Sequence, residues 1–216
     1  SGVAGVWAQE NTRESIYDAF RRKETFATSG PRIKVRFFAS HDLENFKLED
    51  ESLIKNLYAT GTSMGGTLTQ EGINEPTFLV WAARDPFGAP LQRTQIIKGW
   101  LEDGGHREKV FDVSCSDGLS IDPETYRCPN NGAIVDLDSC SISSNKGAVE
   151  LKAFWKDPDF KADQEAFYYT RVLENPVCRW STWDSVREGV KPRSDIPATI
   201  QERAWSSPIW FKPVSS

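Results

Sequence analysis

At residue 33 the pattern of apolar and polar residues changes to a period of two, and the strand-length runs that follow leave little choice of architecture. Ile33, Val35 and Phe37 alternate with Lys34 and Arg36, as a strand with one wet face requires. Strand-length runs rich in β-branched and aromatic residues follow at 77–84, 92–100, 109–115, 148–155, 166–173 and 201–205. They are bounded by Asp85-Pro86-Phe87-Gly88, Asp103-Gly104-Gly105, Asp157-Pro158 and Asn175-Pro176. Nothing alternates strand with long helix as a parallel sheet would demand. The predicted fold is therefore mainly β, α+β overall: an antiparallel β-sandwich-like domain preceded by one N-terminal helix.

That helix is signalled by Asn11-Thr12-Arg13-Glu14, where Asn11 is placed to cap the first turn and Glu14 to reach back as in a capping box. Ile16, Ala19 and Phe20 fall on one helical face, and Arg21, Arg22 and Lys23 suit the negative end of the helix dipole. Gly30-Pro31 is the latest point at which the helix could stop. Residues 42–60 are compatible with strand, loop or a short helix at 53–58, and residues 181–199 read as a polar connection containing Pro192 and Pro197. Ser63-Met64-Gly65-Gly66 lacks the frame of a phosphate-binding loop and reads as a tight turn.

Eight Trp, twelve Phe and five Tyr in 216 residues exclude a disordered chain and call for large buried or stacked rings. A net charge of −5 with scattered basic residues argues against nucleic acid as a partner. No apolar run approaches the roughly 18 residues that a membrane-spanning helix needs. The opening Ser1-Gly2-Val3-Ala4-Gly5 has no charged segment followed by an apolar one, and reads as the interior of a longer protein.

Cys115, Cys128, Cys140 and Cys178 are even in number and contain no Cys-x-x-Cys spacing. Two disulfides are expected, with the pairing open among three alternatives and a zinc site as the competing reading. Disulfides imply a periplasmic or extracellular location. Asp117, Asp122, Asp136 and Asp138 match no EF-hand spacing and read as turn residues. His41 and His106 are 65 positions apart and read as surface or loop histidines. No residue is assigned a catalytic or metal-binding role, and no cofactor is expected on this chain. Among the tryptophans, Trp81, Trp155 and Trp205 lie inside apolar strand patterns and are expected to be buried. Trp180 and Trp183 leave the strand period and form the candidate pair for stacking on a ligand such as a sugar ring.

The stretches Gly5-Val6-Trp7-Ala8-Gln9-Glu10-Asn11-Thr12-Arg13-Glu14-Ser15-Ile16 and Arg22-Lys23-Glu24-Thr25-Phe26-Ala27-Thr28-Ser29-Gly30-Pro31-Arg32-Ile33 resemble the C-terminal part of the bacterial family catalogued as domain of unknown function 3604. So do Val80-Trp81-Ala82-Ala83-Arg84-Asp85-Pro86, Arg171-Val172-Leu173-Glu174-Asn175-Pro176 and the segment 202–210. That family is similar to the polymerase-and-histidinol-phosphatase (PHP) superfamily, whose barrel holds divalent metals between His, Asp and Glu ligands and hydrolyses phosphoesters. The family's His-x-His and Asp-x-His motifs match nothing here, so none of its ligands carries over. The resemblance implies that residues 1–30 end an N-terminal barrel domain, which would hold the divalent metal and be this chain's partner. Residues 31–216 would then be an accessory β-sandwich-like domain of a metal-dependent phosphoesterase, not catalytic by itself. The alternative is a carbohydrate-binding module using exposed Trp.

Overall fold

The computed structural model describes residues 2–43, 46–69 and 74–213. In chain order the elements are β1 (Val3–Val6), α1 (Arg13–Arg21), β2 (Thr25–Thr28), β3 (Lys34–Ser40), α2 (Leu53–Thr60), β4 (Thr62–Ser63), β5 (Thr67–Thr69), β6 (Thr77–Ala83) and β7 (Leu91–Glu102). They continue with β8 (Gly105–Cys115), β9 (Glu150–Lys156), β10 (Ala166–Glu174), β11 (Val177–Cys178), α3 (Trp180–Glu188), β12 (Thr199–Ile200), β13 (Arg203–Ser206) and β14 (Ile209–Lys212).

Two sheets face each other. The larger is centred on β10, which pairs along one edge with β7, and through β7 with β8. Its other edge is shared: Arg171–Leu173 pair with β13, and Ala166–Tyr168 with β14. From β13 the sheet continues through β2 to β1. The smaller sheet has the order β4-β3-β6-β9. The expected antiparallel sandwich is present, with one departure: β14 and β5 run parallel, with Phe211 opposite Leu68.

The alternation along each strand explains what fills the space between the sheets. Phe37, Phe78 and Val80 of the small sheet meet Ile96, Phe111, Tyr168, Ile209 and Phe211 of the large one, all essentially inaccessible. Each such ring or branched chain contributes about 1.5–3 kcal/mol by burial. Ile33, Val35, Ala82 and Leu151 continue this layer against Leu91, Val172 and Ala204. β3 is buried on both faces, because Phe38 points away from the sandwich and is covered by Leu53 and Leu57 of α2. The open segment at 42–60 thus contains a helix, although residues 44 and 45 lie outside the described residues.

The turn signals are used as their chemistry suggests. Asp103 (φ 51) and Gly104 (φ 75) form the two-residue turn of the β7–β8 hairpin, where positive φ matches the twist of the strands. The Asp85 corner carries the chain from β6 in the small sheet to β7 in the large one. Its carboxylate accepts the Arg32 and Phe87 amides at 2.7 and 2.9 Å, which hold it below the usual carboxylate range. Lys98 points inward from β7 and forms a buried ion pair with Asp157 at 2.5 Å, which also accepts the Tyr168 hydroxyl at 2.9 Å.

Several expectations are corrected. The cap of α1 is Thr12, not Asn11: Thr12 is extended and its hydroxyl accepts the Ser15 amide at 3.3 Å. Ser15, not Glu14, reaches back, accepting the Glu10 amide at 3.2 Å. The helix ends at Arg21, and β2 fits between it and Gly30. Residues 181–199 are not all connection, because α3 occupies their start. Trp81, Trp155 and Trp205 are partly, not fully, buried. Trp81 and Trp205 neighbour the buried Ala82 and Ala204, and the pleat gives the inward position to the alanine.

Candidate functional site

The turn from α1 into β2 sets up a polar cleft of about 880 Å³, bordered by Trp7, Arg22, Glu24, Arg36, Lys55, Tyr58 and Ser63. Lys23 adopts a left-handed conformation (φ 59), which directs the following Glu24 inward. Gly65 (φ +88) lets the turn after β4 close over this corner; a Cβ there would lie 2.3 Å from the Lys23 carbonyl oxygen. The 63–66 turn is therefore tight as predicted, and Met64 within it is buried.

Glu24 is 4 % exposed and organises the cleft. Its carboxylate accepts from the Tyr58 hydroxyl, from the Ser63 hydroxyl at 3.0 Å and from the Arg22 guanidinium at 3.3 Å. Burial, then the hydrogen bond to Glu24 and its charge, push the Tyr58 phenol up to about 12, so it remains a protonated donor. Arg36 lies flat against Trp7, 3.6 Å from the ring centroid, and donates to the Tyr58 hydroxyl at 3.0 Å. Trp7 is fixed in turn by its indole N–H, which donates to the Val35 carbonyl at 2.6 Å. Lys55 and Tyr58 are three residues apart on α2 and so project together. The cleft thus has Arg22, Arg36 and Lys55 on its border, beside a Glu24 carboxylate that already accepts three hydrogen bonds. Cations so placed can donate charge-assisted hydrogen bonds to an anion.

A second feature lies on the outer face of the large sheet. Phe167 is 5.3 Å from Trp210 and 6.4 Å from Tyr169, and its ring rests on Gly99, where a Cβ would come within 2.3 Å. Trp210 is 44 % exposed. The depression beside these rings, about 700 Å³, also includes Leu101, Glu102, His106 and Glu108.

Trp180 and Trp183 both open α3, Trp180 largely exposed and Trp183 about one-third exposed. Three residues apart on a helix, they diverge by about 60° around its axis. Trp183 carries the Arg187 guanidinium 5.5 Å from its ring centroid and borders a pocket beside the Cys140–Cys178 disulfide; Trp180 does not border that pocket. The disulfides are Cys115–Cys128 and Cys140–Cys178, which resolves the three open pairings and leaves no free cysteine. They tie the long 116–149 loop to β8 and β11.

Asp122 and Asp136 serve their own turns, Asp122 accepting the Thr125 and Glu124 amides and Asp136 the Asp138 amide, each lowering the carboxyl pKa, whereas Asp117 ties the loop together by accepting the Asn131 side-chain amide and the Gly147 N–H. Among the described residues no group of three or more His, Cys, Asp or Glu is placed to hold a metal ion. His41 lies between the Thr69 and Asn74 carbonyls at 3.1 Å each, while His106 is exposed beside the β7–β8 turn. The Glu24 cleft was not legible as a site in the sequence. Its one signal is a Trp, a Glu and an Arg within the matching stretches 5–16 and 22–33 and the strand beyond them.

The sequence model of DUF3604, described as a protein of unknown function, matches residues 1–213. No curated protein and no solved structure matches the chain.

Proposed function

The chain belongs to the DUF3604 family, and from that premise we propose that it is a C-terminal, non-catalytic β-domain of a PHP-like metal-dependent phosphoesterase. In this reading it packs against the N-terminal barrel domain that holds the divalent metal, and it presents the Glu24 cleft to an anionic substrate group. The observation that carries the reading is the cleft itself, bordered by three cations and by a carboxylate that already accepts three hydrogen bonds. Two features support docking beside it. Among the described residues β1 pairs with β2 alone, leaving its other edge open to a further strand or domain. Val3, Tyr17 and Phe20 are 43 %, 61 % and 51 % exposed on β1 and α1. The two disulfides suit a periplasmic or extracellular location, and no helix among the described residues is long and apolar enough to cross a membrane.

The test compares this chain with a longer protein that carries the barrel, by metal analysis and by hydrolysis of an aryl phosphate with added manganese or zinc. The longer protein should bind metal and turn over, and the chain alone should do neither. Arg36→Ala with Lys55→Ala in the longer protein should raise KM more than it lowers kcat. Metal-dependent turnover by the chain alone, or an inert longer protein, would refute the reading.

A second reading, carbohydrate binding, is favoured by the exposed rings. Trp180 and Trp183 remain its candidates on α3, and the Phe167–Tyr169–Trp210 surface is the broader platform. Retention on immobilised polysaccharide, lost in Trp210→Ala or in Trp180→Ala with Trp183→Ala, would support it and identify which surface binds.

A further inference from the structure

We propose that the pocket between Trp183 and the Cys140–Cys178 disulfide binds a primary ammonium group, as carried by a small amine or a lysine side chain. The site is distinct from the Glu24 cleft and does not depend on the phosphoesterase reading. It is a recess of about 410 Å³, within the range of small-ligand sites, bordered by Phe87, Gly88, Cys178, Trp183, Glu174 and Glu202.

The carboxylates carry the argument. The inward alternation of β10 places Ala166, Tyr168, Thr170, Val172 and then Glu174 on the core side, so a carboxyl group occupies the end of an otherwise buried row. Glu174 is 1 % exposed. Its Oε1, and the buried Oε2 of Glu202, accept no hydrogen bond from the described residues. A buried acceptor left without a donor is costly, and the two residues that carry these atoms border one pocket, the side from which an outside donor would come. Gly88 lets the corner backbone lie against this carboxyl group, since a Cβ there would lie 2.7 Å from Glu174 Oε1.

The choice of ligand follows from the donors required. An ammonium has three N–H donors and no acceptor, enough to serve both oxygens, and its charge is attracted to the face of an indole. Trp183 already attracts one cation of the chain, Arg187. A hard divalent ion would want six or more oxygen ligands, which these two side chains do not supply.

Protonation fits the same picture. Burial above all, then the charges of Glu202 and Asp85, push the Glu174 carboxyl up to about 8, against the Ala89 amide and Arg84, which lower it. Asp85 is itself engaged by the Arg32 and Phe87 amides. At neutral pH Glu174 is mostly protonated, so an arriving ammonium displaces up to one proton.

The test titrates the chain with n-butylammonium, with n-butanol as a neutral isostere and with calcium. It follows the Trp183 indole N–H by NMR, assigned from Trp183→Phe, and measures proton release by calorimetry in two buffers. Expected are a saturable shift with butylammonium only, proton release near neutral pH, and at least tenfold weaker binding without proton release in Glu174→Gln. Gly88→Ala should weaken binding likewise with the fold intact. Equal shifts with butanol would make the pocket a plain apolar crevice, and saturation by calcium would make it a metal site. Either result, no saturable shift with butylammonium, or unchanged binding in Glu174→Gln, overturns the proposal.

Discussion

Replacing Glu174 by Gln should stabilise the protein, and by an amount that grows as the pH rises. The native carboxyl holds its proton up to about pH 8, whereas the unfolded group releases it near 4.5. Below the unfolded value both states are protonated and Glu174 costs nothing by titration. As the pH rises from there toward 8, only the unfolded state gains by ionising, so wild-type stability falls through this window. Linkage with these two values puts the loss at about 1 kcal/mol at pH ~5 and about 4 kcal/mol at pH ~7.5, a difference of roughly 3 kcal/mol. An unfolding entropy of about 2.1 cal/mol/K per residue converts that difference into a midpoint shift of about 7 °C for a chain of this length. Gln has the same shape, carries no charge at any pH and offers a donor that Glu202 Oε2 lacks. The assay is thermal unfolding of wild type and Glu174→Gln at several pH values in that window. The difference between the two proteins is the readout, so that titrations common to both cancel. A midpoint difference that stays flat with pH would show that Glu174 does not hold its proton in the folded state, and the account of its pocket would fall with it.

Asp157→Ala should cost about 3–5 kcal/mol, since it leaves Lys98 charged and buried and removes the acceptor of the Tyr168 hydroxyl; denaturant melts that shift by less than 1 kcal/mol would refute this. Thr12→Ala should destabilise by about 1 kcal/mol while Asn11→Ala changes the midpoint little, because Thr12 holds the cap; the reverse order would restore Asn11. Opening Cys115–Cys128 and Cys140–Cys178, whose partners are 13 and 38 residues apart, should cost about 3 and about 4 kcal/mol by chain entropy. Cys140→Ser with Cys178→Ser should therefore unfold at a lower temperature than Cys115→Ser with Cys128→Ser, and equal losses would point to native contacts rather than loop length.

The sequence by itself determined the elements whose signals are local. Period-two alternation marked β3, because the pleat turns successive side chains to opposite faces wherever one face is dry, and β-branched and aromatic runs between turn residues marked β6, β7 and β10. Asp103-Gly104-Gly105 marked a strand boundary because such residues tolerate positive φ, and the even cysteine count marked two disulfides. The elements it missed lack such signals. β2 is four residues long between a helix and Gly30. α3 is preceded by Arg179 as N-cap, with no side-chain cap hydrogen bond, and is polar along most of its length. Tertiary structure alone decided the parallel pairing of β5 with β14, the choice of cysteine partners and the meeting of Glu24 with Tyr58 and Ser63. It also decided that Glu174, one more polar residue at a strand end, would lie in the interior with Glu202 beside its pocket. These outcomes depend on which distant segments share the sandwich. Backbone geometry sets a strand's period within a few residues, whereas packing of the whole interior sets its neighbours.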